Sequence, residues 1–101
     1  MYLVQLLLPL ADNHGRTFPD DLMRGIQRQL IERFGGLTAY TRAPAKGIWI
    51  QSEGQKQEDI VVIEVMAQAL ERSWWEKFRQ QLQKLLDQKQ LVIRAQQVMT
   101  L

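Results

Sequence analysis

The 101-residue chain has no cysteine and a single histidine, His14. The first absence excludes thiol nucleophiles, thiolate metal sites, iron–sulfur ligation and any disulfide framework. The second leaves serine–histidine catalysis or histidine-rich zinc chemistry one imidazole, which sets aside most hydrolase and metalloenzyme constellations. With only 6 Gly and 3 Pro the chain is neither collagenous nor low-complexity. An excess of one charge is missing too, because 13 Lys+Arg stand against 11 Asp+Glu for a net +2. The cations are scattered singly, apart from pairs such as Arg24/Arg28 and Lys84/Lys89. A phosphate-tracking surface needs several clustered, so nucleic acid is not expected as a partner. No apolar run is long enough for a membrane helix: residues 2–10 are interrupted by Gln5, lack a preceding positive segment, and supply about half of the roughly 20 residues a span requires. The expectation is a cytoplasmic protein with no membrane partner.

What is present is core material. Hydrophobic residues make up 46% of the chain, and a chain of this length buries roughly 60–70% of its unfolded surface, enough for one domain over residues 1–101 without a staple. Residues 1–10 are near-continuously apolar up to Pro9 and read as a central strand. A polar loop through His14 follows, after which Thr17-Phe18-Pro19-Asp20 opens a helix, with Thr17 positioned to cap. Leu22, Met23, Ile26, Leu30, Ile31 and Phe34 then recur at helical spacing until Gly35-Gly36 ends it. Residues 37–51 alternate loosely around Pro44 and Gly47, as an edge strand with a bulge or break does. Residues 52–57 read as a polar turn and 59–66 as the strongest strand, pairing with 37–51 as a hairpin. Ser73 with Glu76 reads as a capping box for a second helix running to about residue 88. Residues 91–101 read as a last strand.

The order strand, helix, strand, strand, helix, strand is the split βαβ arrangement. It predicts an α+β, ferredoxin-like βαββαβ domain: a four-stranded antiparallel sheet in order 4-1-3-2 with two helices on one face. Period-two alternation sorts Val61, Ile63 and Val65 to one face and Ile60, Val62, Glu64 and Met66 to the other, with Glu64 marking the side away from the helices. The uncovered side then collects Gln5 with Leu3 and Leu7, Tyr40 and Arg42, Arg94 and Gln96, and Trp49 if the register across the break permits. So much apolar surface needs a cover, and a second copy of the chain is the simplest one, giving a homodimer through the open sheet face.

Two readings of that face stand side by side. In the first, Glu64 is a catalytic acid/base or hydrogen-bond acceptor and Arg42 or Arg94 binds an anionic or carbonyl oxygen of a small ligand. In the second, Glu64 and an arginine are a cross-strand pair that fixes register or a dimer interface. His14 is a second candidate catalytic residue at the rim, or a solvated loop imidazole. Tyr40 and Trp49 are candidate ligand-binding aromatics. Trp74 and Trp75 can roof a pocket or pack the core at the start of the second helix, and the glutamines of residues 80–90 read as that helix's solvated face. Nothing in the sequence calls for a cofactor or a metal.

The segments Asn13-His14-Gly15-Arg16-Thr17-Phe18-Pro19, Arg33-Phe34-Gly35-Gly36-Leu37-Thr38-Ala39-Tyr40-Thr41-Arg42-Ala43-Pro44-Ala45 with Gly47-Ile48-Trp49, and Glu58-Asp59 through Glu64-Val65-Met66 to Trp74-Trp75 resemble a set of short uncharacterised bacterial proteins. The resemblance covers most of the chain and implies no reaction. In architecture the chain is similar to the dimeric α+β barrel superfamily, which includes cofactor-independent monooxygenases of quinone-forming type and small-ligand-binding proteins. That likeness implies a homodimer around a small organic molecule, as an oxygenase-like or isomerase-like enzyme or a simple binder. The alternative is a noncatalytic interaction or regulatory module that docks another protein on its open face.

Overall fold

The element order is β1(Tyr2–Pro9), α1(Asp20–Phe34), β2(Thr38–Gln51), β3(Gly54–Ala67), α2(Arg72–Leu85) and β4(Val92–Gln97). The computed structural model describes residues 1–51 and 54–101; within β2 the side chains of residues 42–44 and 51 lie outside the described residues. The four strands form one antiparallel sheet in the order β2-β3-β1-β4. The two inner strands, β1 and β3, carry the most apolar sequences because they are flanked on both edges.

Alternation divides the sheet cleanly. Val4, Leu6 and Leu8 of β1 and Val61, Ile63 and Val65 of β3 are buried, in one core with Ile26 and Leu30 of α1 and Trp75, Phe78 and Leu82 of α2. Both helices therefore cover the same face. Where α1 ends and α2 begins, Phe34 stacks on Trp75 and meets Trp74 edge-on, with ring centroids 5.2 and 5.4 Å apart. Trp74 and Trp75 thus pack the core, and the Arg33 guanidinium, which also pairs with Glu71, lies 4.3 Å over the Trp74 ring.

Several local expectations are corrected. Neither helix has a side-chain cap. Thr17 is taken into a bridge with Ala11, so α1 starts from Pro19, whose carbonyl accepts from the amides of Leu22 and Met23. Helix α2 begins at Arg72 and draws Ser73 into its first turn, out of capping position. It ends at Leu85 rather than near residue 88, and β4 stops at Gln97. The left-handed end of α1 at Gly35, φ 84°, is as expected. The largest difference is in the hairpin. Of the expected turn at 52–57, Gly54 through Gln57 are strand, Ser52 lies outside the described residues, and β3 starts at Gly54. Since β1 pairs with β3 only from Ile60 onward, residues 46–51 and 54–59 continue past the sheet as a two-stranded arm.

Candidate functional site

The face opposite the helices is built from cross-strand rows. Gln5 pairs with Glu64 on one side and Arg94 on the other. The Arg94 Nε donates to the Gln5 Oε1 at 2.8 Å, and the Gln5 Nε2 donates to the Glu64 Oε2 at 3.4 Å. One row later, Tyr40, Val62, Leu7 and Val92 stand side by side across all four strands. Tyr40 stands on β2 beside this chain: the Glu64 carboxylate, as a nearby acceptor and negative charge, raises the phenol above its ordinary pKa, with lost hydration adding to the effect. Arg94, Gln5 and Glu64 are thus one hydrogen-bonded series, with Tyr40 on the neighbouring strand, on a face that also exposes Met66 and Val92.

The bulge in β2 decides what joins them. Tyr40 pairs with Val62 and Ala45 with Ile60, so β2 advances five positions while β3 advances two. The odd difference exchanges the two faces of β2, since side chains alternate with period two. Tyr40 and Trp49 are nine positions apart and would otherwise point to opposite sides; the bulge puts both on the open face. Trp49 lies over Gly47, where an added Cβ would stand 1.9 Å from its Cζ3. Gly47 is accordingly buried although it sits in the projecting arm.

Beside the arm, a cleft of about 610 Å³ opens at the end of the sheet. Its floor is Leu7, Pro9, Ile60 and Val92; Trp49, Lys56 and Glu58 wall it from the arm, and Asp87 to Leu91 from the α2–β4 loop. That loop is held in place. Asn13 Nδ2 donates to the Asp87 carbonyl at 2.9 Å and Gln83 Nε2 to the Lys89 carbonyl at 2.7 Å, while Asp87 has φ 50°. The left-handed conformation is one that Asp tolerates better than most residues.

Of the residues singled out in the sequence, the structure brings Glu64, Arg94 and Tyr40 together and sets Trp49 at the edge of the same face. The side chain of Arg42 lies outside the described residues. His14 stands exposed in the β1–α1 loop, where its amide and that of Arg16 both donate to Asp12 Oδ1, at 2.8 and 2.9 Å. The same two amides, Arg16's first, hold the Asp12 carboxyl below its usual range. Four strand positions separate Gln5 from Pro9 at the loop end, roughly 13 Å, so the imidazole is not beside Glu64. Sequence reasoning placed Gln5 on this face without seeing that it bridges Arg94 and Glu64. It missed the cleft residues Lys56, Glu58, Asp87 and Lys89 altogether. Among the described residues, no three His, Asp or Glu side chains gather to hold a metal, and no helix is long and apolar enough to cross a membrane.

No family model matches the chain, and no curated protein matches it. Solved structures do. The divalent cation tolerance protein (Cut A1) from Thermus thermophilus superposes with TM-score 0.63 at 13% identity, over 97% of this chain and 84% of that one. A phage SAM lyase in complex with S-methyl-5′-thioadenosine gives TM-score 0.62 at 13% identity, over 94% and 79%, and a phage SAM lyase in its apo state gives 0.61 at 13% identity, over 94% and 78%. At this identity the likeness shows the fold alone, a small α+β protein of ferredoxin-like architecture.

Proposed function

We propose that this chain is a small-ligand-binding protein that works as a homodimer closed through its open sheet face. Arg94 is the anion-binding group, and Glu64, with Tyr40, is the hydrogen-bonding pair. The observation that carries the reading is the Arg94–Gln5–Glu64 hydrogen-bonded series, laid across three strands with Tyr40 on the fourth, on a partly apolar face that the helices leave bare. Polar groups arranged in one connected line amid exposed Met66, Val92 and Tyr40 suit a surface that is to be covered and must then keep its polar atoms partnered.

Charge order selects the way a second copy sits. Arg94 and Glu64 flank Gln5 from neighbouring strands, so cation and anion stand about 10 Å apart across the sheet. A two-fold axis parallel to the strands places Arg94 over the partner's Glu64 and repeats the favourable contact twice; an axis across the strands opposes like charges. The reading assigns binding to these residues; S-methyl-5′-thioadenosine, held by the phage enzyme of similar fold, is uncharged at neutral pH and so probes hydrogen bonding at Glu64 and Tyr40, while a small carboxylate probes Arg94.

Sedimentation of charge variants tests it. The native chain should run as a dimer at micromolar concentration. Glu64→Arg and Arg94→Glu should each be monomeric alone and form a heterodimer when mixed. A native monomer, or single variants that remain dimeric, would reject the arrangement. A native monomer would favour a surface reserved for a different protein.

A further inference from the structure

The cleft at the sheet end goes beyond that reading: it uses none of the Arg94–Gln5–Glu64 series and takes its whole lining from one copy, although Leu7 and Val92 of its floor also lie on the bare face. Its parts are specific. An aliphatic floor of Leu7, Ile60 and Val92 meets an indole face set by Gly47, which is the lining a flat hydrophobic ring requires. The rim carries charge of both signs. Lys56 and Glu58 approach each other at 3.8 Å, whereas among the described residues Asp87 and Lys89 enter no ion pair. These two, two positions apart in sequence, stand on the loop that Asn13 and Gln83 pin from two different elements, one of them in a left-handed conformation. A loop tied down through its own carbonyls leaves its side chains free to meet a ligand and lowers the ordering cost of doing so. A volume of about 610 Å³ lies inside the range of small-molecule sites.

We infer that this cleft is a binding site for a small aromatic zwitterion: a flat ring against Trp49 and the Leu7–Ile60–Val92 floor, a carboxylate toward Lys89 and an ammonium toward Asp87. An aromatic α-amino acid has this chemistry. A purely anionic ring would meet Asp87 and Glu58 as well as the lysines, and a purely cationic one the reverse; only a ligand with both charges is complemented throughout.

Three probes with one ring separate the terms: 2-naphthylalanine as zwitterion, 2-naphthylacetate as anion and 2-(2-naphthyl)ethylamine as cation. Each is titrated while the indole N–H resonance of Trp49 is followed by NMR, assigned with Trp49→Phe. The zwitterion should bind about two- to five-fold tighter than either singly charged probe, the gain one exposed charge pair supplies. Lys89→Gln should cut the affinity of zwitterion and anion several-fold and leave the amine unchanged; Asp87→Asn should do the converse. Trp49→Ala, followed by calorimetry, should weaken all three. Equal affinity of the three probes or binding indifferent to Trp49→Ala would overturn the proposal. Leu7 and Val92 also belong to the face that the proposed dimer would cover, so each titration is repeated on Glu64→Arg. Binding to that variant alone would uphold the cleft and show a second copy shielding it; binding to neither, with no shift of the indole resonance at millimolar probe, would overturn the proposal.

Discussion

Replacing Gly47 by alanine tests the placement of Trp49 more directly than removing the tryptophan. The new Cβ would lie 1.9 and 2.1 Å from Cζ3 and Cη2 of the indole, against about 3.5–4.0 Å for carbon–carbon contact, so the ring must retreat by roughly 1.6–2 Å. No bond-angle adjustment supplies that distance, and the indole has to change rotamer and leave the face. Trp49 is half-buried, so its departure forfeits about 1 kcal/mol of the roughly 1.5–3 kcal/mol that full burial of a large side chain is worth. Exchanging glycine for alanine returns about 0.4–1 kcal/mol through the unfolded chain. The net change is within about 1 kcal/mol, and Tm should move by no more than about 8 °C. Acrylamide quenching should rise for the Trp49 component of the emission, while Trp74 and Trp75, packed with Phe34 and Phe78, stay protected. A Trp49 signal unchanged in Gly47→Ala would mean that the indole does not lie over residue 47, and the register beyond the bulge would be wrong.

Ultraviolet titration of the phenols should show Tyr40 ionising later than an ordinary tyrosine, since Glu64 favours its protonated form. Because the folded-state pKa is raised, the associated stability is present below the unfolded tyrosine pKa and is lost as pH climbs through the folded one. Glu64→Gln should move the Tyr40 transition down, and an unmoved transition would break the link between the two. Leu6, with no exposed surface at the centre of the core, should cost about 3–5 kcal/mol when cut to alanine, read from urea melts. A loss under about 1 kcal/mol would mean that the helices do not press on β1 as described.

Period-two arithmetic was enough to sort β1 and β3, because their mutual pairing runs without irregularity from its first residue to its last. Val61, Ile63 and Val65 went under the helices and Glu64 went outward on alternation alone. The helices followed from their apolar spacing. What alternation could not supply was the face of Trp49: parity across β2 depends on how many residues the bulge absorbs, and Pro44 signals a break without counting it. Capping motifs misled for a related reason. Thr17 and Ser73 have suitable neighbours, but a bridge to Ala11 claims the first and an early helix start bypasses the second. The cleft was illegible because its walls come from three separated segments. Its loop is ordered by Asn13 and Gln83, whose partners are backbone carbonyls with no signature in the side-chain sequence.

The spacing within the polar row bears on what the row is for. Had glutamate and arginine been placed directly opposite each other to fix register, each would satisfy the other in an ordinary cross-strand pair. Instead Gln5 lies between them, and the charges stand about 10 Å apart, near the distance at which salt screens exposed groups from one another. The amide links the ends through hydrogen bonds while using little of their capacity. Arg94 commits its Nε to Gln5 and retains the terminal N–H groups of the guanidinium fork, and Glu64 has lone pairs beyond the one that meets Gln5. A row that is neutral as a whole, oriented by its own hydrogen bonds and still unsaturated at both ends stabilises a lone sheet less than a direct ion pair would. It is better suited to meeting a second set of polar groups from outside, and this is the physical ground for treating the bare face as a binding surface.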